Sequence, residues 1–132
     1  MGLTNAYRDF ICQVSTSSPS APTLFNAANA YVGVGSSSAT FSATHTQLLG
    51  QMVTGGRRGM EQNYPTASGN TMTFRALFTT GDANDQPWWE WGVFNAATNG
   101  TMMNRKAETS SLGTKTSAQS WQMTVTLTVT VA

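Results

Sequence analysis

The sequence predicts a mostly β chain: an antiparallel β-sandwich, jelly-roll-like, with one short N-terminal helix. Three observations predict it. Near the end, Trp121, Met123, Val125, Leu127, Val129 and Val131 alternate with Gln122, Thr124, Thr126, Thr128 and Thr130, the period of a strand with one buried face. Three of the four tryptophans crowd into Trp88-Trp89-Glu90-Trp91-Gly92-Val93-Phe94-Asn95. Elsewhere, short apolar runs are separated by turn-forming residues with little helical periodicity, which favours antiparallel sheets over a parallel one.

The elements follow in chain order. Thr4 is placed to cap a helix in which Tyr7, Phe10, Ile11 and Val14 form one apolar stripe. Ser15 to Pro22 has no periodicity and two prolines, so it reads as a flexible connection. The expected organisation is therefore an N-terminal helix, arm and linker over 1–22 and a sandwich over 23–132. Ala28 to Val34 reads as a first strand. Gly33 and Gly35 imitate the start of a dinucleotide fingerprint, but Ser38 stands at the third glycine position and no acidic residue follows at the required spacing. Phe41 to Leu49, with Ser42 as a cap and Gly50 as a stop, is compatible with one or two helical turns. Gln51 to Thr54 reads as a short strand, and Gly55-Gly56-Arg57-Arg58-Gly59 as a mobile loop with two arginines at its tip. Met60 to Thr66 pairs in expectation with Thr71 to Thr79 across Ala67-Ser68-Gly69-Asn70, leaving Arg75 in mid-strand.

The tryptophan stretch is the expected central strand. Pro87 fits its first position, where no ladder donor is needed. Alternation puts Trp89, Trp91 and Val93 on one face and Trp88, Glu90 and Phe94 on the other, so both faces need cover. Thr101 to Lys106 returns as its antiparallel partner. The terminal strand carries neither charge nor proline, so it is expected to lie centrally in its sheet or to pair with another subunit.

Composition narrows the function classes. The net charge of +1 and the 10% of charged residues give no footprint for a nucleic-acid backbone. The lone Cys12 excludes an internal disulfide and reads as a buried, inert thiol. No apolar run approaches a membrane span, and no signal-peptide pattern is seen, so synthesis in the cytosol is expected. His45 has no ligand type at metal-binding spacing, and Asp82 and Asp85 do not match a calcium loop. With titratable groups this sparse, the expectation is a non-enzyme without cofactor or metal. Glu90 is the one acid placed inside, and a buried carboxylate requires a cation; Arg75 and Arg105 are the strand-borne candidates. Trp88, Trp89, Trp91, Phe94 and Trp121 are the expected core around that pair.

Several of these stretches carry a resemblance. Asn29 to Gly35, Tyr64-Pro65-Thr66, Trp88 to Ala96, Gly100 to Arg105, and Leu112 to Thr116 leading into Trp121 together resemble a class of small virion proteins of tailed bacteriophages. The resemblance runs from about Ala28 to the end. It implies a structural role, as a capsid cement or decoration protein binding the major capsid protein, or as a tail fibre or baseplate component binding a receptor or carbohydrate. Cement proteins of this size are jelly rolls, dimeric or trimeric, on the capsid surface. Under that reading Tyr7 and Phe10 on the N-terminal arm, and Arg57 and Arg58 at the loop tip, are candidate partner contacts.

Overall fold

A computed structural model describes residues 2–16 and 22–130. Its elements are β1 (Gly2–Leu3), α1 (Asn5–Ser15), β2 (Tyr31–Gly35), β3 (Arg57–Gly59), β4 (Thr66–Ser68), β5 (Thr71–Phe78), β6 (Glu90–Phe94), β7 (Met102–Ala107) and β8 (Trp121–Thr128). All strand pairs are antiparallel. A five-stranded sheet runs β1-β7-β6-β2-β3, and a three-stranded sheet runs β4-β5-β8. The tryptophan strand β6 is thus central in the larger sheet, as its two apolar faces require.

One core joins the two sheets. Val32, Val34, Val93 and Met103 from the first meet Phe74, Ala76, Phe78, Val125 and Leu127 from the second. The alternation of β8 is fulfilled over its inner residues, with Val125 and Leu127 buried and the intervening threonines exposed. Its place is not central, however: β8 pairs only with β5 and forms an edge. Val131 lies outside the described residues.

The N-terminal segment is part of this core. Thr4 has the extended backbone of an N-cap, and its Oγ1 accepts the Tyr7 N–H at 3.2 Å while its hydroxyl donates to the Met102 carbonyl. Tyr7 and Phe10 stack at 5.4 Å and meet Phe25 edge-on at 5.5 and 5.0 Å. Both are buried, which corrects the expectation that they face a partner. Only the first half of the stripe is covered; Ile11 and Val14 are exposed, and so is Cys12, which is not the buried thiol expected. The segment through Leu3 pairs with β7, so no boundary separates residues 2–16 from the sandwich. Residues 17–21 of the expected linker lie outside the described residues.

Several local expectations are revised. Residues 41–49 form turns rather than a helix, because Ser42 and His45 satisfy each other: the His45 N–H donates to the Ser42 carbonyl and the Ser42 N–H to His45 Nδ1. From 51 to 54 only Gln51 pairs, in a single bridge to Gly35. Arg57 and Arg58 belong to β3, paired to β2, and not to a loop. The β4–β5 hairpin is tighter than expected, with Gly69 and Asn70 alone between the paired Ser68 and Thr71; Gly69 supplies φ +57, the value a glycine-led two-residue turn requires at its first central position.

Trp88 departs from the face that alternation assigns it. It sits in the core between the sheets, edge-on to Phe78 at 4.9 Å and to Trp121 at 5.0 Å. The reason is that the regular ladder of β6 starts only at Glu90. Before it, Trp88 N–H donates to the Gly113 carbonyl and Leu112 N–H to the Trp88 carbonyl, which ties this residue to the loop ahead of β8. Alternation holds only where the ladder holds.

Candidate functional site

The outer face of the five-stranded sheet is closed by the chain itself. Segment 36–51 lies over it, and its cover is organised by Glu90. The register sets Glu90 opposite Ala107 and Arg105 opposite Gly92, so the two charged residues are diagonal neighbours on one face. Arg105 Nε donates to Glu90 Oε1 at 2.7 Å, and both side chains are fully buried. The same carboxylate accepts the N–H groups of Leu49 at 2.9 Å, Gly50 at 2.5 Å and Ser37 at 3.2 Å. Arg105 donates onward to the carbonyls of Ala39 at 2.8 Å and Ser37 at 3.4 Å. Beyond their mutual bond, the pair's hydrogen bonds go to backbone of the covering segment. The pair acts as a clamp on that segment.

Of the two arginines expected for Glu90, Arg75 is not its partner. It lies in β5 of the other sheet, donating to Thr124 Oγ1 at 3.2 Å and standing 4.5 Å over the Tyr64 ring. Sheet membership decided the pairing, and sequence spacing does not encode it.

Gly33 and Gly35 now have a physical role unrelated to phosphate. A Cβ on Gly33 would meet the Phe94 ring at 2.7 Å, and one on Gly35 would meet Glu90 Oε2 at 2.5 Å and the Gly50 carbonyl oxygen at 2.7 Å. The glycines let the ring and the carboxylate lie flat on β2. Gly35→Ala is expected to cost about 1–3 kcal/mol, as overpacking of a closed site does, because backbone on the far side cannot give way. Thermal or urea unfolding of the variant measures this, and an unchanged midpoint would show that the segment over β2 is loosely held.

Two further polar nodes fix loops at one end of the molecule. Lys115 is fully buried, its Nζ donating to the Asp82 carbonyl at 2.9 Å and to Asn84 Oδ1 at 2.7 Å. Asp82 Oδ2 accepts from both the N–H and the hydroxyl of Thr79 at 2.8 Å and takes Arg58 Nε at 3.3 Å. Trp88 Nε1 donates to the Ala83 carbonyl at 3.0 Å. Lys115 was missed from sequence, since its partners come from a loop about thirty residues upstream; the only signal was its place inside the Leu112 to Thr116 stretch.

Arg57 makes the third node. Its guanidinium lies 3.4 Å over the Phe94 ring and donates to the carbonyls of Ala96 and Asn99, each at 3.0 Å, and to Gln51 Oε1 at 3.4 Å. Burial lowers its pKa to about 10, so it stays charged at neutral pH. Arg57 and Arg58 are thus committed within the chain, and only Arg58 keeps a substantially open side chain, 42% exposed.

These nodes steady three loops that meet around the tip at 51–54. Val53 is wholly exposed there. Clefts of about 360 Å³ lie on either side of the tip, one reaching Arg57, Thr98 and Asn99, the other Asn84, Asp85 and Gln86. By contrast none of the tryptophans is open: Trp88 is buried, and Trp89, Trp91 and Trp121 are half-buried. Trp91 Nε1 is taken by Glu108 Oε1 at 2.9 Å. Among the described residues, no cluster of three or more His, Cys, Asp or Glu is arranged to hold a metal ion.

The chain matches no protein-family model and no curated protein. The site is therefore read from its own geometry. Its most prominent surface feature is the exposed Val53 on the 51–54 tip, with a cleft of mixed polar and apolar lining on either side.

Proposed function

We propose that this chain is a non-enzymatic virion structural protein of a tailed bacteriophage, a capsid decoration protein that binds and bridges subunits of the major capsid protein on the mature shell. The observation that carries the reading is Val53, wholly exposed on a tip whose neighbouring loops are braced by Arg57, Asp82 and Lys115. A partner pocket that buries this side chain gains roughly 1.5–3 kcal/mol. Bracing reduces the ordering cost on contact. The hydroxyl-rich, weakly charged surface and the stretches resembling phage virion proteins support the same reading. A subunit that binds only the expanded lattice stabilises it by its binding free energy, and simultaneous contact with two capsid subunits multiplies the effect.

The reading is tested by adding purified protein to expanded shells that lack it. Wild type is expected to saturate them, and Val53→Asp to lose at least tenfold in affinity with its unfolding midpoint unchanged. Equal binding by the variant would remove the tip from the contact. The second reading is a tail fibre or baseplate module for a receptor or glycan. The amide and hydroxyl groups of Gln51, Asn84, Thr98 and Asn99 in the two clefts favour it, while the absence of an open tryptophan face among the described residues removes the stacking platform such a module commonly uses.

A further inference from the structure

The four sheet edges are unequal. β1 has two residues, and β3 and β4 have three each; β3 carries Arg57 and Arg58, and β4 follows Pro65. Short length, charge and nearby proline are the usual protections against edge-to-edge pairing. The fourth edge, β8, has eight residues and none of these protections. Three edges carry such protections, and among the described residues nothing pairs with the fourth.

The direction of its backbone groups follows from the ladder. Val129 N–H donates to the Asn70 carbonyl at 2.8 Å, and Met72 and Phe74 of β5 stand opposite Leu127 and Val125. The odd-numbered residues of β8 therefore turn their N–H and C=O groups toward β5, and Gln122, Thr124, Thr126 and Thr128 turn theirs to the free edge. Outside the ladder, no backbone hydrogen bond among the described residues reaches those four. Their side chains are exposed and uncharged.

We infer that β8 pairs antiparallel with β8 of a second copy of this chain, forming a twofold dimer in which the two three-stranded sheets become one continuous sheet. The pairing that satisfies the most outward groups sets the twofold at Val125. Thr124 then faces the partner's Thr126, and Gln122 the partner's Thr128. A second copy fits because the ladder is neutral and self-complementary: no like charges meet, and threonine pairs across strands are favourable. On the inner face, Val129, half-exposed in the single chain, comes opposite the partner's Trp121. Growth stops at two because the opposite edge, β4, is short. This deepens the oligomeric part of the proposed reading, yet it concerns the isolated protein and stands or falls without any shell.

The experiment is sedimentation velocity on the full chain and its variants at micromolar concentration. Wild type is expected at twice the 14.1 kDa of one chain. The double variant Thr124→Lys with Thr126→Lys places lysine opposite lysine, and its dissociation constant should rise at least tenfold. The corresponding double glutamate variant should behave alike, and an equal mixture of the two should restore the dimer. Thr126→Pro removes an outward N–H that β5 does not use, so the folded monomer should persist. Circular dichroism checks that each variant keeps its fold. A monomeric wild type, or a dimer indifferent to the double lysine change, overturns the pairing.

Discussion

Glu90→Ala is expected to destabilise the protein by about 3–5 kcal/mol, a large share of the roughly 5–15 kcal/mol that a domain has in total. The loss has two parts. Arg105 is left as a fully buried cation without its carboxylate. The N–H groups of Ser37, Leu49 and Gly50 lose their acceptor together, which frees the segment that covers the outer face. A buried ion pair can often be replaced by apolar residues of similar volume at little cost. That is not expected here, since Glu90→Met with Arg105→Met still orphans the backbone of residues 37, 39, 49 and 50. Urea unfolding of both variants checks this, and a loss under about 1 kcal/mol for Glu90→Ala would mean that water reaches the carboxylate.

Removing residues 1–16 is expected to abolish cooperative folding. The deletion takes Tyr7 and Phe10 out of the core, strips Phe25 of both its edge-on partners, and removes Thr4, whose backbone and hydroxyl bond to Met103 and Met102. Each large aromatic lost from a core costs about 3–5 kcal/mol, so two exhaust the margin. Near-ultraviolet circular dichroism and a denaturant titration of the truncated chain report the outcome. A truncated protein that unfolds cooperatively with an unchanged midpoint would make the segment a detachable arm.

How much of this was legible in the sequence depended on whether the cause was local. The alternation from Trp121 and the tryptophan run from Trp88 to Asn95 specify strands through their own period, and both strands formed, though β6 begins only at Glu90 and β8 ends at Thr128. The Glu90–Arg105 contact was half legible: burial of an acid demands a cation, but choosing Arg105 over Arg75 required knowing which sheet each strand joins. Gly55 to Gly59 reads as loop because its composition is glycine and arginine; only pairing to β2 and the Phe94 ring turn Arg57 and Arg58 into a strand. Segment 36–51 has no period at all, since it is held by side chains from β6 and β7 rather than by its own pattern. The burial of Lys115 was not legible, because a lysine is ordinarily solvent-exposed and its partners here are a carbonyl and an amide from a distant loop.

The position and stoichiometry of the protein on the virion test its proposed role most directly. A cryo-EM reconstruction of the parent particle at side-chain resolution, with copy number counted by quantitative mass spectrometry, supplies both. A role in shell decoration predicts hundreds of copies with density over the capsid and Val53 buried against the major capsid protein. About a dozen copies confined to the tail would contradict it.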